Sequence, residues 1–164
     1  MGNDVFTSCI NFLYTRQDII WPAIQDQIYL MAVASLICIF IGVPMGILAY
    51  KFPRLKSLVL GGAGILYTIP ILAMFGFLIP ILGIGDKTAI IAMVIYGILP
   101  VIQNTFTGIK EVNPFLKEAA LGMGASSFQV LYKVEFPLAL PVILAGIRTS
   151  VVMNVSIATF AVFI

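Results

Sequence analysis

Long apolar runs without a charged residue constrain this chain more than any other feature of its sequence. Residues 28–50, IYLMAVASLICIFIGVPMGILAY, contain 23 residues and no charge, which as a helix is about 34 Å long. Residues 58–82 and 88–109 form similar runs, and residues 136–164 form a fourth that only Arg148 interrupts. Each run is long enough to cross the hydrocarbon core of a bilayer. The pattern predicts an all-α, polytopic membrane bundle with four spans.

The composition argues against a soluble domain and against several kinds of site. Hydrophobic residues make up 61% of the sequence and charged residues only 10%, which is too few for a water-exposed surface. A net charge of +2 without a basic run argues against nucleic-acid binding. The spans contain no Asp, Glu or His, so we expect neither an intramembrane enzyme nor a metal site. Cys9 and Cys38 fall at different predicted membrane depths, so we expect two unpaired thiols.

The first 27 residues are predicted to form an external or interfacial segment before a transmembrane domain of residues 28–164. The segment lacks the basic start and compact apolar core of a secretory signal, so we expect it to be retained. Its apolar residues suit a helix at the membrane interface: Phe6, Ile10, Leu13, Ile20 and Trp21. The sequence ends in ATFAVFI without a polar flank, so we expect a fifth span downstream of Ile164.

Basic residues are unequally distributed between the two sides of the predicted bundle. One side carries six of them: Lys51, Arg54, Lys56, Lys110, Lys117 and Lys133. The other side carries Arg16 and Lys87. By the positive-inside rule the first side faces the cytoplasm, so we expect the N-terminus and the GIGDK turn to lie outside.

Glycines and prolines within the spans indicate that the helices pack closely against one another. Gly42 and Gly46 form a face of small residues that lets a neighbouring helix approach. Pro70, Pro80 and Pro100 are predicted to interrupt the second and third spans, because each removes a backbone donor that lipid cannot replace. These features favour a multi-helix bundle over isolated anchors.

Residues 117–137, KEAALGMGASSFQVLYKVEFP, break the apolar pattern with charges, glycines and serines. Asn113 and Pro114 predict a helix start, and Gly122 with Gly124 predicts its end. The sequence S-S-F-Q at residues 126–129 predicts a capping box that starts a second short helix, which Pro137 should stop. Two short amphipathic helices on the cytoplasmic side are too polar for lipid. We therefore expect them to dock into another protein.

The same stretch resembles the EAA loop of bacterial ABC-importer permeases. The matching positions are Glu118, Ala119, Ala120, Gly124, Val134 and Pro137, whereas Phe136 stands where the family more often has Leu. The resemblance implies a cytoplasmic coupling loop, residues 110–137, that sits in a groove of an ATP-binding subunit. It assigns ATPase coupling to Glu118, Ala119, Ala120, Gly122, Gly124, Ala125 and Ser126, and the end of the motif to Val134 and Pro137.

From about Gln27 to its end, the chain is similar to permeases of the glycine betaine, carnitine and choline group of osmoprotectant importers. That resemblance implies the MetI-like fold of type I ABC importers and a multi-pass protein of the bacterial cell membrane. It also implies two ATPase subunits, a second permease subunit that is identical or different, and an extracellular or periplasmic binding protein or fused domain. ATP and Mg²⁺ would be held by the ATPase, with no cofactor and no catalytic site on this chain.

Polar and aromatic residues within the spans are candidates for the substrate pathway: Tyr67, Thr68, Tyr96, Asn104, Asn154 and Ser156. Side chains of this kind also commonly bond to a nearby carbonyl or a neighbouring helix. Arg148 is a candidate gate or ion-pair partner for an acid on the second subunit, or alternatively reaches the cytoplasmic interface.

Three alternatives stay beside this interpretation. The same type of permease could carry another trimethylated amino-acid derivative such as ergothioneine. A secondary transporter would usually show an inverted repeat and an ionisable residue at the midplane, and Arg148 is the one candidate for the latter. A passive membrane scaffold could use residues 117–137 only to recruit a partner. Stimulation of a co-purified ATPase by substrate-loaded binding protein would distinguish the importer from the scaffold.

Overall fold

The structure, a computed structural model, describes Phe12 and residues 14–161. Cys9 and the predicted interfacial residues Phe6, Ile10 and Leu13 lie outside this part of the chain. The described part contains helices and no strand. In chain order these are α1 (Gln17–Lys51), α2 (Pro53–Tyr67), α3 (Ile71–Leu82), α4 (Asp86–Lys110), α5 (Pro114–Gly122), α6 (Ser127–Val130), a π-helical stretch (Leu131–Glu135) and α7 (Phe136–Ala161).

Three continuous helices are long and apolar enough to cross a membrane: α1, α4 and the helix Ser127–Ala161, which consists of α6, the π-helical stretch and α7. The helices α2 and α3 together meet the same test but are bent by 96°. The interruption of the second span predicted at Pro70 is therefore confirmed. Pro70 lies at the break, where its ring fixes φ and its missing N–H prevents α2 from continuing.

The other two prolines expected to interrupt spans do not do so. Pro80 lies inside α3 and Pro100 lies inside α4, and both helices continue past them. Membrane helices tolerate such prolines where neighbouring helices and side chains cover the freed backbone groups. The helix that contains the first span begins at Gln17 and runs without a break past residue 28.

The core of the bundle lies where α4 packs between α1 and α7. A Cβ atom built on Gly46 would lie 2.6 Å from Cβ of Thr105 in α4, and one on Gly42 would lie 2.9 Å from Cγ1 of Val101. On the other side of α4, a Cβ on Gly146 of α7 would lie 2.5 Å from Cβ of Asn104. The predicted small-residue face of α1 is thus where α4 approaches. On α7, Gly146 likewise allows α4 to approach closely.

The bend between α2 and α3 is fixed to the core by Tyr96 of α4. Its hydroxyl donates a hydrogen bond to the carbonyl of Ile69, and its ring lies 6.0 Å from that of Tyr67, centroid to centroid. Thr68 closes the end of α2 by donating from its hydroxyl to the carbonyl of Ile65, at 2.7 Å. These contacts give the broken span a defined position against α4.

The last span begins earlier than expected, because the helix does not stop at Pro137. That residue is the second of α7, and the chain enters α7 directly from the π-helical stretch. A proline removes the hydrogen bond of its own N–H and crowds the carbonyl four residues before it. The wider hydrogen-bonding pattern of the π-helical stretch lies immediately before Pro137 and accommodates this defect.

Candidate coupling segment and membrane cleft

The coupling segment, residues 110–137, begins with a capped helix. The side chain of Asn113 accepts a hydrogen bond from the backbone N–H of Phe115 at 2.9 Å, and Pro114 occupies the first helical position. Asn at the cap and Pro after it satisfy or remove donors that the first turn leaves unpaired. The predicted start of α5 is confirmed.

The end of α5 is a Schellman motif centred on Gly124. The N–H of Gly124 donates to the carbonyl of Leu121 at 2.9 Å, and the N–H of Ala125 donates to that of Ala120 at 3.1 Å. Gly124 has φ of +86°, a conformation that residues with a Cβ adopt at a cost. The glycine of the EAA-like sequence is therefore required by backbone geometry.

The capping box predicted at residues 126–129 is present. The N–H of Ser126 donates to Oε1 of Gln129 at 2.8 Å, and the N–H of Gln129 donates to Oγ of Ser126 at 3.3 Å. The helix that it starts is α6, which passes through the π-helical stretch into the last span. The second half of the coupling segment is thus continuous with the membrane bundle.

Much of the surface of the coupling segment is apolar and exposed. Phe115 is 77% exposed, Met123 83% and Phe128 67%. Within the EAA-like sequence, Glu118 and Ala119 are also exposed, whereas Ala120 is buried. Gly122, Gly124 and Ser126 are exposed, Ala125 and Val134 are half-buried, and Pro137 is exposed. Several large apolar side chains exposed on one short segment indicate a surface for another protein.

A buried ionic cluster lies beneath this surface. Nζ of Lys117 in α5 lies 2.7 Å from Oε1 of Glu135, and donates to the hydroxyl of Tyr50 at 2.9 Å and to the carbonyl of Ile109 at 3.3 Å. The Tyr50 hydroxyl donates in turn to Oε1 of Glu135 at 2.6 Å. Glu135 is only 5% exposed. The cluster joins α5 to the ends of α1 and α4 and to the π-helical stretch.

The protonation of Lys117 follows from this environment. Burial by itself lowers the pKa of Lys117, but the hydrogen bonds and charge of Glu135 and Tyr50 outweigh it and raise the pKa above its ordinary value. The ammonium form is therefore the stable one at neutral pH. An open cleft of about 330 Å³ lies beside the cluster, between Lys117, Leu121, Leu131 and the end of α1.

A second cleft, of about 440 Å³, lies along the membrane part of the bundle. Its lining comes from α2, α4 and α7: Tyr67, Leu99, Pro100, Gln103, Asn104, Thr107, Thr149 and Met153. The lining is polar at several positions and contains no charged residue. Two of the predicted pathway residues, Tyr67 and Asn104, are brought together here.

The remaining predicted pathway residues lie elsewhere. Tyr96 and Thr68 are bonded at the bend, as described above. Asn154 is fully buried and donates from Nδ2 to Oγ of Ser35 at 3.2 Å, which links α7 to α1. Ser156 is exposed and does not line the cleft. Hydrogen bonding within the bundle accounts for the hydroxyls of Tyr96 and Thr68. For Asn154 it accounts for Nδ2 alone, because Oδ1 is buried without a hydrogen-bond partner among the described residues.

Sequence reasoning missed three polar residues of the cleft, Gln103, Thr107 and Thr149. Gln103 and Thr107 are four residues apart on α4 and flank Asn104, so helical spacing could have found them. Arg148 lies near the middle of α7 with its side chain exposed. Its neighbour Thr149 lines the cleft, whereas Arg148 itself is not among the lining residues.

Comparison with known proteins bears on the whole bundle. Residues 38–164 match the family described as binding-protein-dependent transport system inner membrane component. The chain belongs to this family. As a member it is a membrane-embedded transport component that works with a binding protein. This outcome confirms the predicted permease class.

Individual relatives of this permease are found in several bacteria. It is 37% identical over 155 residues to the glycine betaine/carnitine/choline transport system permease protein OpuCB of Bacillus subtilis (strain 168), covering 94% of this chain and 71% of that protein. It is 43% identical over 144 residues to the osmoprotectant import permease protein OsmW of Salmonella typhimurium, covering 85% and 67%.

The fold of the permease matches that of a solved transporter. A chain in an inward-facing structure of the MetNI methionine ABC transporter aligns with a TM-score of 0.74 at 22% sequence identity, over 87% of this chain and 72% of that chain. A second crystal form of the same transporter gives a TM-score of 0.76 at 21% identity, over 92% and 74%. The predicted all-α, MetI-like fold is therefore confirmed.

Proposed function

We propose that this permease is the transmembrane subunit of an ATP-driven importer for quaternary amine osmoprotectants such as glycine betaine, carnitine and choline. The exposed apolar surface of the coupling segment carries the proposal. A helix capped at both ends that displays Phe115 and Met123 has no purpose in a passive lipid anchor. Such a surface suits a protein partner, because exposed apolar patches mark interaction sites.

The partner we propose is the ATP-binding cassette subunit. It would hold and hydrolyse ATP with Mg²⁺, so this chain needs neither a catalytic site nor a cofactor. Glu118 and the neighbouring EAA-like positions would enter a groove of that subunit, and its closure would move α5. The continuity of α6 with the last span supports this assignment, because a displacement of the coupling segment reaches the membrane helices directly.

The transport pathway requires a second permease subunit, identical or different. Four spans enclose half a pathway, and two-fold assemblies are the commonest closed arrangement of membrane subunits. We infer that the cleft at Tyr67 and Asn104 faces this pathway and that Arg148 gates it from nearby. An external binding protein or fused domain would deliver the solute to the outer side.

The chemistry of the cleft supports a cargo with little net charge. Its lining offers hydrogen-bonding groups without an acid or a base, and Tyr67 offers an aromatic face to a trimethylammonium group. A zwitterion such as a betaine meets both conditions. The names of the relatives from Bacillus subtilis and Salmonella typhimurium agree with this class of solute.

Uptake into proteoliposomes that contain the complete transporter tests the proposal. We expect radiolabelled glycine betaine to accumulate only with internal ATP and external binding protein, and choline or carnitine to compete. Tyr67→Leu should lower uptake about two- to fivefold, which corresponds to a cation–π contribution of about 0.5–1 kcal/mol. The control is Tyr29→Leu, since Tyr29 is 59% exposed and lies away from the cleft.

Other outcomes would contradict separate parts of the proposal. Uptake driven by an ion gradient without ATP would favour a secondary transporter. Uptake of methionine without competition from any quaternary amine would reject the cargo but keep the mechanism. Strong competition by ergothioneine alone would move the specificity to another trimethylated amino-acid derivative.

A further inference from the structure

The helix α5 is held to the long helices mainly through one side chain. It packs chiefly against α6 and the π-helical stretch, and it makes few contacts with α1, α4 or α7. Lys117 is the exception, because its ammonium group reaches Tyr50 at the end of α1, Ile109 in α4 and Glu135 directly before α7. A single group therefore connects α5 to all three continuous spans.

The contacts of Lys117 fix the orientation of α5 relative to the spans as well as its distance from them. The ammonium group has three donors and finds three oxygen acceptors at 2.7, 2.9 and 3.3 Å. The ring of Tyr50 also lies under Nζ, 5.1 Å from it to the centroid. Apolar packing alone would let a short helix roll, whereas charge-assisted hydrogen bonds to separate elements restrict its rotation.

The burial of Glu135 makes this arrangement sensitive to either partner. At 5% exposure its carboxylate depends on Lys117 and Tyr50 for compensation. A buried charge that loses its partner is strongly unfavourable, so separating Lys117 from Glu135 would be costly. A displacement of α5 that kept this pair together would have to move the ends of α1 and α7 as well.

We propose that Lys117, Glu135 and Tyr50 transmit the movement of the coupling helix to the spans, with Lys117 as the positioning residue. This inference rests on the proposed ATP-driven function, and it assigns a role to residues beneath the docking surface instead of on it. The docking surface receives the force, and the cluster distributes it among three helices.

Transport stoichiometry in the complete transporter tests the inference. Uptake and ATP hydrolysis are measured in the same proteoliposomes for Glu135→Gln, Lys117→Gln and Tyr50→Phe. We expect uptake per ATP to fall about fivefold or more in Glu135→Gln and Lys117→Gln, the range of a typical coupling energy. Arg54→Gln is the control, because Arg54 is an exposed basic residue in the first turn of α2, outside the coupling segment, and should leave the ratio unchanged.

A charge exchange separates transmission from simple stability. Lys117→Glu combined with Glu135→Lys restores the pair in the opposite sense, and we expect it to recover part of the ratio lost in the single variants. Unchanged uptake per ATP in a Glu135→Gln complex that assembles in normal yield would overturn the inference.

Two further outcomes are also decisive. If Glu135→Gln does not assemble, Tyr50→Phe decides, because it keeps the ring and removes only the hydroxyl that contacts both charged groups. Lower uptake per ATP in Tyr50→Phe supports transmission through the cluster, and unchanged uptake per ATP rejects it. An unmutated transporter without ATP-dependent uptake would instead reject the proposed function, so the two failures are distinguishable.

Discussion

The core around α4 and the coupling segment are stabilised in different ways. In the core, glycines let the helix backbones approach so closely that a Cβ at Gly46 or Gly146 would overlap its neighbours. In the coupling segment, Gly122 and Gly124 have open space around them, and caps and a Schellman motif maintain the shape. Substitutions in the core should therefore change whether the bundle forms. Substitutions in the segment should change the uptake per ATP of an assembled transporter.

The largest expected effect concerns which cysteines a membrane-impermeant reagent reaches: one in the core, one near the coupling segment or one at the opposite end of the bundle. In a Cys9→Ser background, Asp86→Cys should react with a membrane-impermeant maleimide added outside intact cells. Lys56→Cys should react only after permeabilisation, because it lies near the end of the bundle that carries the coupling segment. Cys38 in the core is fully buried and should stay unlabelled in both cases.

Labelling of Lys56→Cys from outside, with protection of Asp86→Cys, would place the coupling segment on the wrong side of the membrane. The orientation derived from the basic residues would then be inverted. A reaction of Cys38 in the folded protein would show that the core is looser than its packing indicates.

The second prediction concerns close packing in the core. Gly146→Ala should lower the free energy of unfolding by about 1–3 kcal/mol, because the added methyl would lie 2.5 Å from Cβ of Asn104 and 2.8 Å from the carbonyl oxygen of Pro100. Thermal unfolding of the purified protein in detergent measures the effect. Gly62→Ala makes the same chemical change in α2, where nothing lies within 4 Å, and should be neutral or stabilising by up to ~1 kcal/mol.

Equal midpoints of unfolding for Gly146→Ala and Gly62→Ala would contradict the close approach of α4 and α7. The comparison isolates packing because both glycines lie inside helices and both gain one methyl group.

The third and smallest effect concerns the turn after α5. Gly124→Ala should destabilise the end of α5 by about 1 kcal/mol, because its φ of +86° disfavours a Cβ. Gly122→Ala should not, since Gly122 lies in the helix and a Cβ added at either glycine would meet no other part of the protein within 4 Å. We expect lower uptake per ATP in Gly124→Ala alone, measured at equal amounts of assembled transporter. The opposite ranking would remove the Schellman geometry as the reason for that glycine.

Local chemistry made much of the coupling segment predictable from sequence. The Asn113 cap, the end of α5 at Gly122 and the Ser126–Gln129 capping box each depend on a few consecutive residues. Length and hydropathy likewise predicted the three continuous spans, and the bent pair of α2 and α3 supplies the fourth if it counts as one span. Such signals are local, so they are visible in a single sequence.

The direction of the helices at a bend and the pairing of side chains distant in sequence were not predictable in the same way. Hydropathy gives the same value for a straight span and for one bent by 96°, so the sequence predicted an interruption at Pro70 but not the angle of the bend. The bond between Lys117 and Tyr50 joins residues 67 positions apart, and that between Tyr50 and Glu135 joins residues 85 apart. One signal was available: an acid directly before a long apolar run needs a partner when it is buried.

The π-helical stretch has a consequence for how the sequence encodes the last span. Along this helix the buried residues recur every three or four positions, as at Ala139, Ile143, Gly146 and Ser150, but Val130 and Glu135 are five apart. One additional residue turns a regular helix by about 100°. The additional residue in this stretch therefore rotates the face of the helix that precedes it relative to the buried face of α7. Deleting one residue from it would leave an unbroken apolar helix but would point α5 and α6 in a different direction.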